Sequence, residues 1–294
     1  MTTTSFDYET FTSRNIGFVS LAEQERLRKA CVFVAGVGGM GGAAIEVLAR
    51  AGIGRLIFAD IDVFEVSNLN RQLSATMDTV GIRKTEATSA RLRSINPECE
   101  LTILDADWVQ ALPNILPKVD VVINGCDDTR ATLALMRQAE KAKKTVVDAF
   151  ASPLPNVYVV GPLDVRPERL FGYPSVGKPI DALTSADIDG CKAKEIEWVM
   201  VHSSSANHVD LQAAGEMMQG KRSRMSFAPM VIGTGCLMAY EALRVILAKP
   251  GGPGPSGVFW NPWTQRCEKS KSLPVAFVRR FFVKRFMRTM MAKI

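Results

Sequence analysis

The sequence predicts an α/β fold built on a doubly wound, mainly parallel β-sheet that continues into antiparallel strands towards the C-terminus. Three observations support this prediction. A continuous apolar run leads into a glycine-rich turn at residues 36–41, and strand-type and helix-type segments then alternate up to about Phe150. A further strand-type segment follows at 156–163, and residues 258–269 are predicted to form two short strands. Continuous apolar strands that alternate with helices are typical of parallel sheets covered on both faces.

Each element follows from its own residue pattern. Apolar runs of strand length predict the strands, and apolar residues at helical spacing predict the helices. The predicted strands are 30–35, 53–62, 100–106, 119–123 and 145–150, and the predicted helices are 18–28, 43–52, 84–95, 129–143 and 227–250.

The six cysteines are scattered, and no two of them form a Cys-x-x-Cys pair. A structural zinc site built from two such pairs is therefore not expected. The N-terminal residues "MTTTSFDYETFTSR" contain acids and lack the apolar segment of a secretory signal. Together these features predict a cytoplasmic protein with reduced thiols.

The formal charge of +6 is concentrated at one end of the chain. Residues 275–294 contain six Lys and Arg residues and no acid, so the other 274 residues are neutral in sum. Binding to DNA is therefore not expected, and electrostatic attraction to a partner would be local to this segment.

The turn "GVGGMG" has the spacing of a nucleotide-binding glycine motif. Gly36, Gly38 and Gly41 follow a strand and open a helix, and Asp60 comes 19 residues after the last of them. Such glycines let backbone N–H groups approach a phosphate at a helix N-terminus, and the acid binds ribose hydroxyls. The motif predicts a Rossmann-like site but leaves NAD(P) and ATP open.

Cations after the second strand favour ATP. Arg71 lies in the loop "SNLNRQ", and Lys84 begins the next helix. A redox enzyme needs no arginine there, whereas displacement at the α-phosphate of ATP requires charges that neutralise the polyphosphate. Asp127 and Asp128 follow the fourth strand and suit a hard cation such as Mg²⁺, and one of them is also expected to cap the helix that starts at Thr129.

The run GxGGxG, D-x-D, S-N-L-x-R-Q, K and C-x-D resembles the ThiF/MoeB superfamily of E1-like, ATP-dependent adenylyltransferases. The resemblance covers residues 14–150 well, and the segment 226–247 resembles the late apolar helix of the superfamily. It implies a homodimeric enzyme that activates a carboxylate as an acyl-adenylate, usually at the C-terminus of a small carrier protein or peptide.

The resemblance also implies roles for individual residues. Gly39 and the glycines around it would contact ATP, Asp60 would bind ribose, and Asp128 would hold Mg²⁺. The triphosphate would be bound by Asn68, Arg71 and Lys84, with Asn70 and Gln72 in the same loop. Arg14 matches an arginine that this family contributes across the homodimer interface.

On this basis we predict a single domain over residues 1–294. Residues 1–150 form the nucleotide-binding half and 151–250 the substrate-binding half, in which 163–226 is predicted to be an irregular excursion. Residues 275–294 form a basic, apolar tail, which either packs on the protein or binds a membrane surface or a partner; the mixed positions of its charges favour packing.

Two other functions remain open. One is an enzyme similar to tRNA threonylcarbamoyladenosine dehydratase, although the neutral body makes tRNA the less favoured partner. The other is an NAD(P)-dependent oxidoreductase. Cys191 lies in the excursion where some members of the superfamily carry a reactive cysteine, and Lys192 and Lys194 could lower its pKa, so it is a candidate nucleophile.

Overall fold

The computed structural model describes residues 5–218 and 220–292. Its sheet contains eight strands in the order β3-β2-β1-β4-β5-β6-β7-β8 within these residues. The strands are β1 Cys31–Ala35, β2 Arg55–Ala59, β3 Glu100–Leu104, β4 Val121–Asn124, β5 Val146–Asp148, β6 Asn156–Val160, β7 Val258–Asn261 and β8 Arg266–Lys269. The α-helices are α1 Tyr8–Thr12, α2 Leu21–Lys29, α3 Gly39–Arg50, α4 Lys84–Ile95, α5 Trp108–Ile115, α6 Thr129–Lys141, α7 Pro167–Leu170, α8 Ser185–His202, α9 Leu211–Met218, α10 Ala228–Ile246 and α11 Leu273–Ala292.

The first five strands are parallel and the last three are added in antiparallel pairs, as the sequence predicts. The central strand β1 is buried along its whole length because helices cover both faces of the sheet. One side of the sheet packs against α3 and α10, and the other packs against α5 and α6. The strand order reverses between β1 and β4, so the carboxyl ends of these strands form the crevice in which α/β proteins bind ligands.

The prediction of an irregular excursion over 163–226 is wrong. This segment contains α7, α8 and α9, and α8 is 18 residues long. Thr184 caps α8 by accepting from the backbone N–H of Asp187, whose carboxylate accepts in turn from the Thr184 backbone N–H. The start of α8 was not recognised because its first two turns contain Asp187, Asp189 and Gly190, which are residue types typical of loops.

Helix α10 is the core helix of the second half. By length and composition alone, it is the one helix of the described residues that is long enough and apolar enough to cross a membrane. Its Gly235 lies so close to α3 that a Cβ atom there would come within 2.5 Å of the Met40 carbonyl oxygen and 2.6 Å of the Ala43 Cβ atom. The apolar composition of α10 therefore serves packing against α3 and the sheet.

Candidate active site

The glycine turn between β1 and α3 needs its glycines for two reasons. Gly36 has φ +82°, and a Cβ atom there would lie 2.7 Å from the carbonyl oxygen of Gly125. A Cβ atom on Gly41 would lie 1.9 Å from the carbonyl oxygen of Gly36. Gly38 precedes the first residue of α3 and has no side chain to cap it, so the first N–H groups of the helix remain available for an anion.

A cavity of about 560 Å³ opens at the carboxyl ends of the parallel strands, beside this turn. One part of its wall, which we name the polar end, is lined by Gly36, Gly38, Gly39, Asp60, Asp62, Arg71, Gln72, Lys84, Asp127, Asp128 and Arg224. The other part, which we name the apolar chamber, is lined by Phe150, Ala151, Ser152, Pro153, Ile196, Val199, Met200, Ser205, Ala206, Val209, Leu211, Ala214, Gly215, Met217, Met225, Ser226, Met230, Val231, Phe286 and Met287. The two parts meet where Val231 packs against Gly39.

Asp60 stands at the end of β2 and faces the cavity. Its carboxylate accepts hydrogen bonds from the backbone N–H groups of Val37 at 2.9 Å and Asp62 at 3.0 Å. Burial raises the pKa of this carboxyl, while the Asp62 N–H and the charge of Lys84 oppose that rise. The carboxylate is thus fixed beside the glycine turn, where the motif places the acid that binds ribose.

Lys84 is buried at the start of α4, with only 7% of its surface exposed. Its ammonium Nζ lies 2.8 Å from Oδ2 of Asp62, and both residues line the cavity. The structure shows that this carboxylate is the charge partner of Lys84, which keeps a buried cation at the cavity wall.

Arg71 also lines the polar end, and its Nη1 donates to the Ser67 carbonyl at 2.8 Å and to Asn70 Oδ1 at 2.9 Å. Burial, followed by the nearby charge of Arg224, lowers the pKa of its guanidinium. Arg224 in turn lies 3.6 Å from the carboxylate of Asp127. Two guanidinium groups near each other at one wall are an arrangement that an anion would stabilise.

The three amides of the "SNLNRQ" loop have different surroundings. Asn68 is buried and accepts from the Glu65 N–H at 3.1 Å, and Asn70 donates to the Ser226 carbonyl at 3.1 Å; neither is among the residues that line the cavity. They shape the loop and join it to the segment before α10. Gln72 does line the cavity, and its buried Oε1 has no hydrogen-bond partner among the described residues.

Asp128 and Asp127 stand where β4 gives way to α6. Asp128 caps α6, because its Oδ1 accepts from the Ala131 N–H at 2.6 Å. The prediction that one of the two acids caps this helix is therefore confirmed. The described residues contain no group of three or more His, Cys, Asp or Glu side chains placed to hold a metal ion. Both acids face the cavity, so they fit Mg²⁺ only in the manner common for nucleotide sites, in which phosphate oxygens and water supply most of the ligands.

Two predicted site residues lie away from the cavity. Arg14 is exposed on a 3₁₀ turn, Ser13–Asn15, and does not line the cavity of its own chain. Cys191 is 1% exposed and packs with Leu133 and Leu183 on the far side of α8. Its assignment as a candidate nucleophile is therefore corrected, because no substrate in the cavity can reach this thiol.

The lysines next to Cys191 do not activate it either. Lys192 lies 4.0 Å from Asp189, and Lys194 lies 3.4 Å from Glu197. Each of these cations lies within 4.0 Å of a carboxylate, and Glu197 also pairs with Arg280, so neither lysine is an isolated positive charge beside the thiol. Cys191 is a packing residue whose Sγ lies 3.4 Å from the hydroxyl of Ser175.

The described part of the basic tail forms α11, which packs on the protein. Arg279 donates through Nη2 to the carbonyls of Met200 at 2.8 Å and Ser203 at 2.6 Å, which are free at the C-terminal end of α8. Further along α11, Phe286 and Met287 reach the wall of the apolar chamber. Phe277, Phe281 and Phe282 remain exposed, and residues 293–294 of the predicted tail lie outside the described residues.

Sequence reasoning missed Arg224 and the apolar chamber. Arg224 lies in the run "KRSRM", whose basic composition was a signal, but nothing in the run shows that it returns to the glycine turn. The chamber is assembled from segments far apart in the chain, and its methionines have no fixed spacing in the sequence.

The fold and the polar end define a nucleotide-binding α/β protein whose glycine turn, ribose-type acid and cations match a triphosphate better than a redox cofactor. The family follows from comparison with known proteins. This chain belongs to the ThiF family, whose family model matches residues 12–272. The resemblance to E1-like proteins predicted from the sequence is thus confirmed.

The curated relatives cover several named activities. The tRNA threonylcarbamoyladenosine dehydratase of Bacillus subtilis (strain 168) is 45% identical over 142 residues, which are 48% of this chain and 56% of that protein. The sulfur carrier protein ThiS adenylyltransferase of Escherichia coli (strain K12) is 36% identical over 115 residues, 39% of this chain and 45% of that protein. The chain spans about half the length of such relatives, for example 48% of the Haemophilus influenzae dehydratase.

Solved structures share the fold over most of the chain. E. coli tRNA N6-threonylcarbamoyladenosine dehydratase, TcdA, in complex with AMP, has a TM-score of 0.59 at 24% identity and covers 85% of this chain and 99% of its own. The microcin C7 biosynthetic enzyme MccB, in complex with N-formylated MccA, has a TM-score of 0.60 at 18% identity. The match covers 90% of this chain and 69% of the MccB chain. At this identity the likeness establishes the fold alone.

Proposed function

We propose that this protein is an ATP-dependent adenylyltransferase that activates a carboxylate of a carrier protein or peptide as an acyl-adenylate and releases pyrophosphate. The observation that carries the proposal is the composition of one cavity wall. The open N-terminus of α3, the ribose-type carboxylate Asp60 and the cations Arg71, Lys84 and Arg224 all face the same space.

In the proposed reaction, a carboxylate oxygen attacks the α-phosphorus in line with the bridging oxygen to the β-phosphate. The new O–P bond forms as the bond to the bridging oxygen breaks, and pyrophosphate leaves with the electron pair. No proton transfer and no protein nucleophile are needed. Catalysis therefore consists of positioning and of stabilising the charge that develops on the phosphates.

The residues of the chain supply both the positioning and the charge stabilisation. Backbone N–H groups of Gly38 and Gly39 and the positive end of α3 receive phosphate oxygens, and Arg71 and Lys84 neutralise the leaving pyrophosphate. Arg224 adds a second guanidinium beside Arg71. Mg²⁺, when bound with ATP, would be held through Asp128 and would neutralise charge on the phosphates.

We further propose a homodimer in which Arg14 completes the site of the partner subunit. The support is its position: it is a cation on an exposed turn near the N-terminus, outside the cavity of its own chain. A cytoplasmic location, predicted from the cysteines and the N-terminal sequence, also stays a proposal.

A second candidate function is activation of a carboxylate on tRNA. It is favoured by the dehydratases of B. subtilis and H. influenzae, which are 45% and 39% identical to this chain over the aligned part. A cleft lined by Arg169, Lys194, Arg280 and Lys284, together with Glu197, which pairs with Lys194 and Arg280, would be its phosphate contact. The NAD(P)-dependent oxidoreductase alternative has no support from the family, and the cations of the polar end have no role in it.

The test is ATP–pyrophosphate exchange with candidate carboxylates, a carrier or peptide C-terminus in one set and tRNA bearing threonylcarbamoyladenosine in the other. Arg71→Ala should lower the exchange rate by roughly 100-fold, in keeping with the loss of one charged donor at the reacting phosphate. Arg93→Ala, an exposed arginine of α4, is the matched control and should leave the rate unchanged. Exchange that survives Arg71→Ala at full rate would refute the assigned role.

Asp128→Asn separates the metal from the helix cap. Asparagine caps a helix about as well as aspartate, so stability should change little, whereas the loss of charge should raise the Mg²⁺ concentration needed for half-maximal exchange. An unchanged Mg²⁺ requirement would remove Asp128 from the metal site.

A further inference from the structure

We infer that the apolar chamber binds the C-terminal residues of a peptide whose last side chain is apolar and bulky. This inference rests on the proposed function and specifies its substrate. The carboxylate must reach the α-phosphate at the polar end, and the chamber begins where Val231 packs against Gly39. The group attached to that carboxylate therefore extends into the chamber.

Methionine provides much of the chamber wall. Met200 comes from α8, Met217 from α9, Met225 from the segment before α10, Met230 from α10 and Met287 from α11. Methionine side chains are unbranched and polarizable, so a wall built from them adapts to apolar groups of different shapes. Four helices that are separate in the sequence contribute to this one surface.

One carboxylate lies beside the chamber: Glu195 accepts from the backbone N–H of Ala151 at 2.9 Å. The charged residues that line the cavity, among the described residues, belong to the polar end, and Asp127 and Arg224 already contact each other there. A terminal Asp or Glu side chain would enter the chamber beside the Glu195 carboxylate and without a cation among the chamber residues, which is unfavourable in an apolar environment. A terminal glycine would leave the apolar wall uncovered.

Two hydroxyl groups in the chamber favour a peptide over a free hydrocarbon acid. Ser152 Oγ and Ser205 Oγ lie 2.8 Å apart on the wall, and Ser203 Oγ lies 2.6 Å from Ser205 Oγ and 2.7 Å from the Val199 carbonyl oxygen. The oxygen atoms of such a pair can accept a hydrogen bond from the N–H of a peptide amide. A hydrocarbon chain would use neither group.

Binding tests the inference without relying on turnover. Calorimetry is carried out on the full chain saturated with α,β-methylene ATP, whose Pα–C bond cannot be cleaved. The probes are pentapeptides of one sequence ending in Gly-Leu, Gly-Gly or Gly-Asp, together with octanoate. We expect the Gly-Leu peptide to bind roughly 10- to 100-fold more tightly than the Gly-Gly peptide, in line with burial of one leucine side chain. Equal affinity of these two peptides, or tighter binding of the Gly-Asp peptide or of octanoate, would overturn the inference.

Variants of the wall give a second readout. Met230→Ala should weaken binding of the Gly-Leu peptide about tenfold through lost contact area, with no change for the Gly-Gly peptide or for the nucleotide analogue. The control is Met77→Ala, because Met77 is 72% exposed on a 3₁₀ turn and does not line the cavity. An equal loss for both peptides in Met230→Ala would overturn the inference.

The two proposals fail in different ways. Tight binding of the Gly-Leu peptide without ATP–pyrophosphate exchange would contradict the adenylation reaction and leave the chamber assignment standing. Exchange that is as fast with the Gly-Gly peptide as with the Gly-Leu peptide would contradict the chamber assignment and leave adenylation standing.

Discussion

The two ends of the cavity are built in different ways. The polar end takes most of its residues from one continuous stretch, 36–84, in which a turn, a strand end and a helix start follow each other. The apolar chamber takes its residues from 150–153, 196–231 and 286–287. A site that binds charge requires defined backbone geometry and specific side chains, whereas an apolar wall requires only surface of suitable shape. Few substitutions are therefore expected to be tolerated at the polar end, and more are expected to be tolerated in the apolar chamber.

Glycine substitutions test this contrast with the largest expected effect. Gly41→Ala should destabilise the protein by on the order of 3 kcal/mol or prevent folding, because the new methyl group would overlap the Gly36 carbonyl oxygen. Gly233→Ala in α10 is the matched control, since its new Cβ atom would lie 3.5 Å from Pro155. That control should be neutral or gain up to about 1 kcal/mol from helix propensity. Urea denaturation measures both, and equal effects would contradict the contrast.

Mixing two inactive variants tests whether the polar end is completed by a second subunit. Arg14→Ala and Arg71→Ala should each lower exchange by roughly 100-fold. After random reassembly of equal amounts, about a quarter of the sites would combine an intact Arg71 with an intact Arg14 from the partner, so that fraction of activity should return. Recovery that does not rise above the two separate variants would assign Arg14 to its own subunit or to no site.

A buried acid at the carboxyl end of β5 should have a titration that is visible in the stability of the protein. Asp148 is 4% exposed at the end of β5 and accepts from Tyr158 at 2.6 Å and Asn124 at 2.9 Å, and burial raises its pKa to about 7. The folded protein then holds a proton that the unfolded chain has lost above its usual pKa of 3.8. Stability should therefore fall as the pH rises from the lower value to the higher one, by up to about 1.4 kcal/mol per pH unit.

Asp148→Asn should remove this part of the pH dependence. Urea denaturation of both proteins at about pH 5 and about pH 8 measures it. The free energy of unfolding of the wild type should fall more between the two values than that of the variant. A wild type that gains stability over this range relative to Asp148→Asn would show that the carboxyl is ionised in the folded protein.

The smallest effect is expected on the far side of α8 from the chamber. Cys191→Ala should lower the free energy of unfolding by about 1 kcal/mol through lost packing and leave ATP–pyrophosphate exchange unchanged. A loss of exchange without a loss of stability would restore this cysteine as a functional group.

The same contrast between the polar end and the apolar chamber explains which parts of the fold and of the site could be predicted from the sequence. Helix α4 begins and ends where it was predicted, at Lys84 and Ile95, and the sheet has the predicted mixture of parallel and antiparallel strands. The glycine spacing and Asp60 indicated residues that line one cavity in the structure, because the backbone geometry there admits few residue types. Helix α5 was missed because Pro113 lies inside it, which usually indicates a helix end.

Contacts between distant segments could not be predicted. Nothing near Lys84 in the sequence shows that Asp62 becomes its partner, and nothing near Phe286 shows that it reaches a chamber formed by α8, α9 and α10. Asn68 was predicted to bind the triphosphate because of its motif, yet its oxygen accepts from the Glu65 backbone in the structure. A motif indicates which residues act together but does not say which of them face the ligand.

The ion pair between Lys84 and Asp62 has a consequence for the lifetime of a bound nucleotide under the proposed function. A phosphate that engages the ammonium competes with an anion already in place, so the affinity reflects the difference between two ion pairs. When pyrophosphate dissociates, the Asp62 carboxylate can form its ion pair with Lys84 again, which lowers the free-energy barrier to dissociation. Turnover, rather than tight retention of nucleotide, is what this pairing promotes.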